Sequence, residues 1–253
     1  MKRKSGNLLM LVLASLFVLS ACGGGGNPSG TPPATPSEAA GIWIGTFTSN
    51  VTHITSSATG LVADTNSARF GFPDTLAQYS GMLNVNGNSF STTATAYAPH
   101  GSTLPDGSQV GTATISGTFT PKGTMSGTYN GAGDAGTFTL TYNGSLYERP
   151  SSLPGVSGIW KGKILDFTNF IKIDENGAIT GVNTTGCFYG GHVSVIDPSF
   201  NIYSVHLDID NCGSDNGTYD GLGALSDAGA TNDTFITIVS SPTLSLVASL
   251  SKQ

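Results

Sequence analysis

From residue 41 onward, apolar and polar residues alternate in short runs, and Gly, Asn, Asp, Pro and Ser separate the runs. A period of two sends successive side chains to opposite faces of a strand, whereas a helix needs a period near 3.6. No long stretch keeps the helical period, and glycines are spread through the whole body. The pattern predicts an all-β fold.

Three hairpins have faces that fix their register. In "ATISGTFTPKGTMSGTY" the turn falls at Pro121-Lys122-Gly123. With Gly123 left-handed, Phe119 pairs with Met125, Ile115 with Tyr129 and Gly117 with Gly127. In "FIKIDENGAITG" a turn at Glu175-Asn176-Gly177 pairs Ile173 with Ile179. In "CFYGGHVSVIDPSFNIYSVHLDIDNC" a loop opens at Asp197-Pro198, and pairing Ile196 with Ile202 sets Val193 opposite Val205. Tyr203, Leu207 and Ile209 then share the inward face. A slip of one residue in any of these hairpins would mix the two faces.

The third register also brings Cys187 opposite Asn211, one residue short of Cys212. A bulge at Gly190-Gly191 would close that gap, and a Cys187–Cys212 disulfide would staple the hairpin's open end. A reduced pair and a Cys/His metal site are the alternatives. On the opposite face the register sets His192 against His206, with Asp208 further along. Two imidazoles and a carboxylate are ligands for zinc, nickel or copper, and a polar solvent face accounts for the same residues. The oxygen-rich stretch at residues 208–221 offers calcium ligands but lacks the spacing of a calcium loop, and turn chemistry explains its Asn-Gly and Asp-Gly pairs.

One motif occurs twice. "AAGIWIGTF" at residues 39–47 returns as "VSGIWKGKI" at residues 156–164, and the shared Gly-Ile-Trp-x-Gly holds both tryptophans of the chain, Trp43 and Trp160. Each copy opens a segment of domain size. The reading is a domain over residues 41–148, a linker over 149–156 and a second domain over 157–253.

The Gly-x-Trp opening resembles that of lipocalin-like barrels, in which the indole plugs one end and a basic residue near the last strand packs over it. The resemblance implies small antiparallel barrels with Trp43 and Trp160 as structural plugs, Arg149 as the basic residue of the first domain and, as a poorer match, Lys252 in the second. An immunoglobulin-like β-sandwich is the alternative. It places its tryptophan between two cysteines, whereas Trp160 precedes both Cys187 and Cys212.

The amino end differs from all of this. Lys2, Arg3 and Lys4 precede an uncharged apolar run at residues 8–18, too short to span a bilayer and suited to a secretory signal. The run ends in Leu19-Ser20-Ala21-Cys22, which resembles the lipobox of bacterial lipoproteins. The resemblance implies cleavage after residue 21 and attachment of a diacylglycerol and an amide-linked acyl chain, such as palmitate, at Cys22. The alternative is an ordinary secretory signal with a chance cysteine. Gly23 stands where an Asp would favour inner-membrane retention, so the resemblance implies the outer membrane. Residues 22–40, rich in Gly, Pro, Ser and Thr, read as a disordered tether.

Charge narrows the partners. The chain carries a net charge of −6, and removing residues 1–21 takes three basic residues and no acid, leaving about −9. Phosphate backbones are repelled, which argues against nucleic acid. No nucleophile elbow, zinc-protease helix or phosphate loop occurs, and of the four histidines, at positions 53, 100, 192 and 206, only the last two have an expected partner. The sequence reading is a membrane-anchored envelope protein without a cofactor, held to the bilayer through Cys22. It binds a small apolar ligand or serves a structural role. A protein-recognition module and a hydrolase or metal protein are the alternatives. The small inward residues of the first domain leave room for a cavity in a barrel of this size.

Overall fold

The computed structural model describes residues 37–75, 77–164 and 167–253. Cys22 and the expected signal segment lie outside the described residues, as does most of the expected tether. The chain forms two eight-stranded antiparallel β-barrels.

The first barrel contains β1 (Gly41–Ser49), β2 (Thr55–Val62), β3 (Ser67–Gly71), β4 (Gln78–Met82), β5 (Asn84–Asn86), β6 (Ser89–Tyr97), β7 (Val110–Phe119), β8 (Thr124–Gly131) and β9 (Asp134–Tyr142). Neighbouring strands run β4-β3-β2-β1-β9-β8-β7-β6-β5, and a β4–β6 pairing closes the ring. Gln78 pairs with Tyr97 and Asn84 with Ser91, one continuous register, so β4 and β5 act on β6 as a single strand interrupted near Leu83.

Two one-turn helices follow, α1 (Gly144–Tyr147) and α2 (Leu153–Val156). The second barrel is β10 (Gly158–Ile164), β11 (Phe167–Ile173), β12 (Ala178–Asn183), β13 (Phe188–Val195), β14 (Tyr203–Asp210), β15 (Gly217–Ser226), β16 (Thr234–Ser240) and β17 (Ser245–Lys252), closed in chain order.

The expected pairings hold: Phe119 with Met125, Ile115 with Tyr129, Gly117 with Gly127, Ile173 with Ile179, and Val193 with Val205. The glycine pair has a packing role. Gly117 and Gly127 stand in one cross-strand row between Phe90 and Phe138. The two rings meet over the bare backbone, with centroids 6.2 Å apart.

Two local details differ from expectation. The left-handed residue of the β7–β8 turn is Lys122, with φ 55°, rather than Gly123. A proline followed by a left-handed residue is the type II pattern, and Lys122 then reaches Glu148 at 2.6 Å. Nor does β13 carry a bulge. Its register with β14 runs unbroken from Phe188–Asp210 to Val195–Tyr203. The chain turns just past the strand instead, at left-handed Asn211 with φ 59°, and this brings Cys212 to Cys187.

The expected linkers are partly folded. Ala39 and Ala40, placed in the tether by the sequence pattern, are buried against the first barrel. Residues 149–156 contain α2 and the buried Ser151 and Val156, so the connection is packed structure. The barrels share a core of their own, in which Ile42, Leu61, Leu146, Ile202, Leu222 and Ile238 come together. The rings of Tyr147 and Phe200 stack there at 4.6 Å. Gly71 permits this approach, because a Cβ at that position would lie 2.9 Å from Cδ1 of Ile238.

Candidate functional site

Each barrel buries a tryptophan near the start of its first strand and holds it in the same way. The Trp43 indole N–H donates to the Ala39 carbonyl at 3.0 Å, and that of Trp160 to the Val156 carbonyl at 2.9 Å. Both indoles are fully buried. Nζ of Lys252 lies 5.2 Å from the Trp160 ring centroid. Arg149, the sequence-based choice for the same place in the first barrel, lies elsewhere. It forms a fork-shaped ion pair with Asp227, at 2.7 and 2.6 Å, and so ties the connection to the second barrel. Tyr142 takes the place beside Trp43, edge-on at 5.5 Å.

The other ends differ. Six residues beyond Trp43, about 20 Å along β1 at ~3.3 Å per residue, Ser49 stands at the lip of a cavity of about 310 Å³. Phe47, Phe72, Tyr79 and Tyr129 form its aromatic floor, with neighbouring ring centroids 5.1–6.0 Å apart. Asp134 stands in the wall. Its Oδ1 accepts from the Ser49 hydroxyl at 2.6 Å and from the Ala135 N–H at 2.8 Å, and its Oδ2 accepts from the Tyr129 hydroxyl at 2.9 Å. Burial, then the hydrogen bond to Asp134, pushes the Tyr129 phenol well above its ordinary range. Burial and the Asp134 charge do the same to Tyr79. Both phenols therefore stay protonated at physiological pH.

The second barrel is filled at the corresponding end. Tyr189, Leu207, Ile209 and Tyr219 are buried there with Cys187, while Tyr203 lies at the Trp160 end, its hydroxyl against Ser152. Cys187 and Cys212 form a disulfide with Cα atoms 4.9 Å apart. Asn183 closes the loop before it, its Oδ1 accepting from the backbone N–H groups of Thr185 and Cys187 at 2.9 and 3.0 Å.

His192 and His206 face each other as the register requires, with ring centroids 5.0 Å apart. Nδ1 of His206 is 2.7 Å from Asp220 Oδ1, and Nε2 is 3.6 Å from Asp208 Oδ2. The Asp220 hydrogen bond raises the His206 pKa above its ordinary value. Asp208 also accepts from the Thr218 hydroxyl at 2.7 Å. Both nitrogens of His206 thus face carboxylates, and among the described residues no group of three or more His, Cys, Asp or Glu is placed to hold a metal ion. In the oxygen-rich stretch, Asn216 accepts from the Cys212 N–H at 2.6 Å and Asp215 lies 3.1 Å from Nε2 of His100, a partner that the sequence reading did not assign.

The sequence reading missed Ser49, Tyr79, Tyr129 and Asp134 as a group. Only Tyr129 carried a signal, as an inward residue of a hairpin. Asp134, in "GAGDAG", looks like turn chemistry, and the strand pairing alone brings Ser49 to it across 85 residues.

A second surface stands out on the second barrel. Phe170, Val182 and Phe188 form one cross-strand row on the outer face of β11, β12 and β13, and all three are exposed. Lys161, Lys163 and Lys172 lie on the same face or beside it, exposed and without an ion pair among the described residues.

Compared with protein-family models, curated proteins and solved structures, the chain finds no match.

Proposed function

We propose that this chain is a non-enzymatic, lipid-anchored protein of the bacterial envelope whose first barrel receives a small ligand at its open end. The cavity beside Asp134 carries the reading. It has an aromatic floor, a few convergent polar groups and a volume at the lower end of the range for ligand pockets. The plugged barrel ends, with Lys252 over Trp160, support a lipocalin-like architecture. The basic start, apolar run and small residues before Cys22 support the lipid anchor, and Gly23 after it supports the outer membrane. Three acyl chains on one residue hold far more firmly than a single chain.

The test is a titration of the full chain with benzyl alcohol and choline, followed by backbone amide NMR shifts. Saturable shifts at Ser49, Tyr79 and Asp134, lost when Ala77→Trp fills the cavity, are expected. No saturable shift with either probe contradicts the ligand reading. Mass spectrometry of the Cys22 peptide checks the anchor, and an unmodified thiol contradicts it.

The exposed Phe170–Val182–Phe188 row favours a second reading, recognition of a protein partner. A photo-crosslinker at Phe188 in envelope preparations should then yield one adduct of defined mass, and its absence argues against that reading.

A further inference from the structure

The charge inside the cavity points to a ligand class, an inference that rests on the ligand reading above. Among the described residues, Asp134 is the only formally charged one in the cavity wall, and no Lys, Arg or His lines it. Its three hydrogen bonds come from neutral donors, the Ser49 and Tyr129 hydroxyls and the Ala135 N–H. Such donors orient a carboxylate and stabilise its charge without cancelling it. A carboxylate has about four lone-pair sites, so it can still accept from a ligand. Anions are repelled both by this group and by the negative balance of the chain.

The floor fits the same class. The Tyr79 ring is only partly buried, lies 5.6 Å from Phe72 and 5.9 Å from Tyr129, and its hydroxyl has no hydrogen bond among the described residues. Neutral aromatic faces attract cations within about 6 Å of the ring centroid, more strongly where water is excluded. We propose that the first barrel binds a small organic cation, an alkylated ammonium whose charge sits beside Asp134 and whose alkyl groups rest on the Tyr79 and Tyr129 rings.

A pair of probes of equal shape separates charge from size. Choline and its neutral carbon isostere, 3,3-dimethylbutan-1-ol, are titrated against the full chain, with amide shifts around the cavity as the readout. Choline is expected to bind at least tenfold more tightly than the alcohol. Asp134→Asn should bring the two within about twofold of each other. Tyr79→Leu, which leaves the carboxylate network intact, should weaken choline about fivefold. If both probes give equal, saturable shifts at the cavity, the cation inference falls and the ligand reading stands. If neither choline nor the alcohol nor benzyl alcohol gives saturable shifts, both fall.

Discussion

Single side chains set how each barrel begins. Each indole is buried near the start of its barrel's first strand and gives its N–H to a carbonyl four residues earlier, at 3.0 Å for Trp43 and 2.9 Å for Trp160. Replacing a buried tryptophan by a smaller side chain removes transfer energy, leaves a cavity and orphans that carbonyl. Such losses cost about 3–5 kcal/mol. Trp43→Leu and Trp160→Leu are each expected to lose about 3 kcal/mol in urea unfolding, and a loss below about 1 kcal/mol would mean that the indoles are not the plugs. The tryptophans were legible because the motif repeats. Asp134 was not, because its partners Ser49 and Tyr129 come from different strands and nothing local marks the carboxylate as inward. Arg149 was misplaced for a similar reason. Its partner Asp227 lies on the other barrel, 78 residues away.

At the level of elements, hairpin registers followed directly from the chain because one face of each strand is buried and a slip inverts it. Turns were less legible. Lys122 rather than Gly123 takes the left-handed conformation, and Asn211 rather than a bulge turns the chain toward Cys212. Several backbone solutions satisfy the same side-chain pattern, so the pattern cannot choose among them. The disulfide closes the β13–β14 hairpin with a separation of 25 residues. By chain entropy a loop of that size contributes about 3 kcal/mol. The double variant Cys187→Ser, Cys212→Ser should lower unfolding stability by about that amount while the strand pairing, read by amide NMR, persists. An unchanged stability would show that the staple adds nothing to a barrel already filled.

The whole molecule is two barrels with a common beginning and different mouths. Their contact was beyond the reach of the pattern, since Ile42, Leu222 and Ile238 sit on faces that a lone barrel would turn to water. The Arg149–Asp227 pair adds a pH dependence to that contact. Its guanidinium, then the Asn232 N–H, lowers the Asp227 pKa to about 2. A carboxyl depressed in the folded state stabilises the fold above its unfolded pKa, ~3.9, and that contribution is lost as pH falls through the folded value. Asp227 is exposed at the rim, so the effect is screened by water and salt. The urea midpoint of Asp227→Asn should lie below that of the parent chain at pH 6, and the gap should narrow as pH falls toward 2 and close below it. A gap as wide at pH 2 as at pH 6 would assign the loss to something other than the ion pair.

The first barrel is hollow at its open end and the second is filled. Diffraction from a crystal held under xenon pressure tests this without a choice of ligand, because xenon occupies apolar cavities. Xenon density is expected against Phe47 and Phe72 in the first barrel, and none among Tyr189, Ile209 and Tyr219 in the second. Density inside the second barrel, or an empty first one, would contradict it.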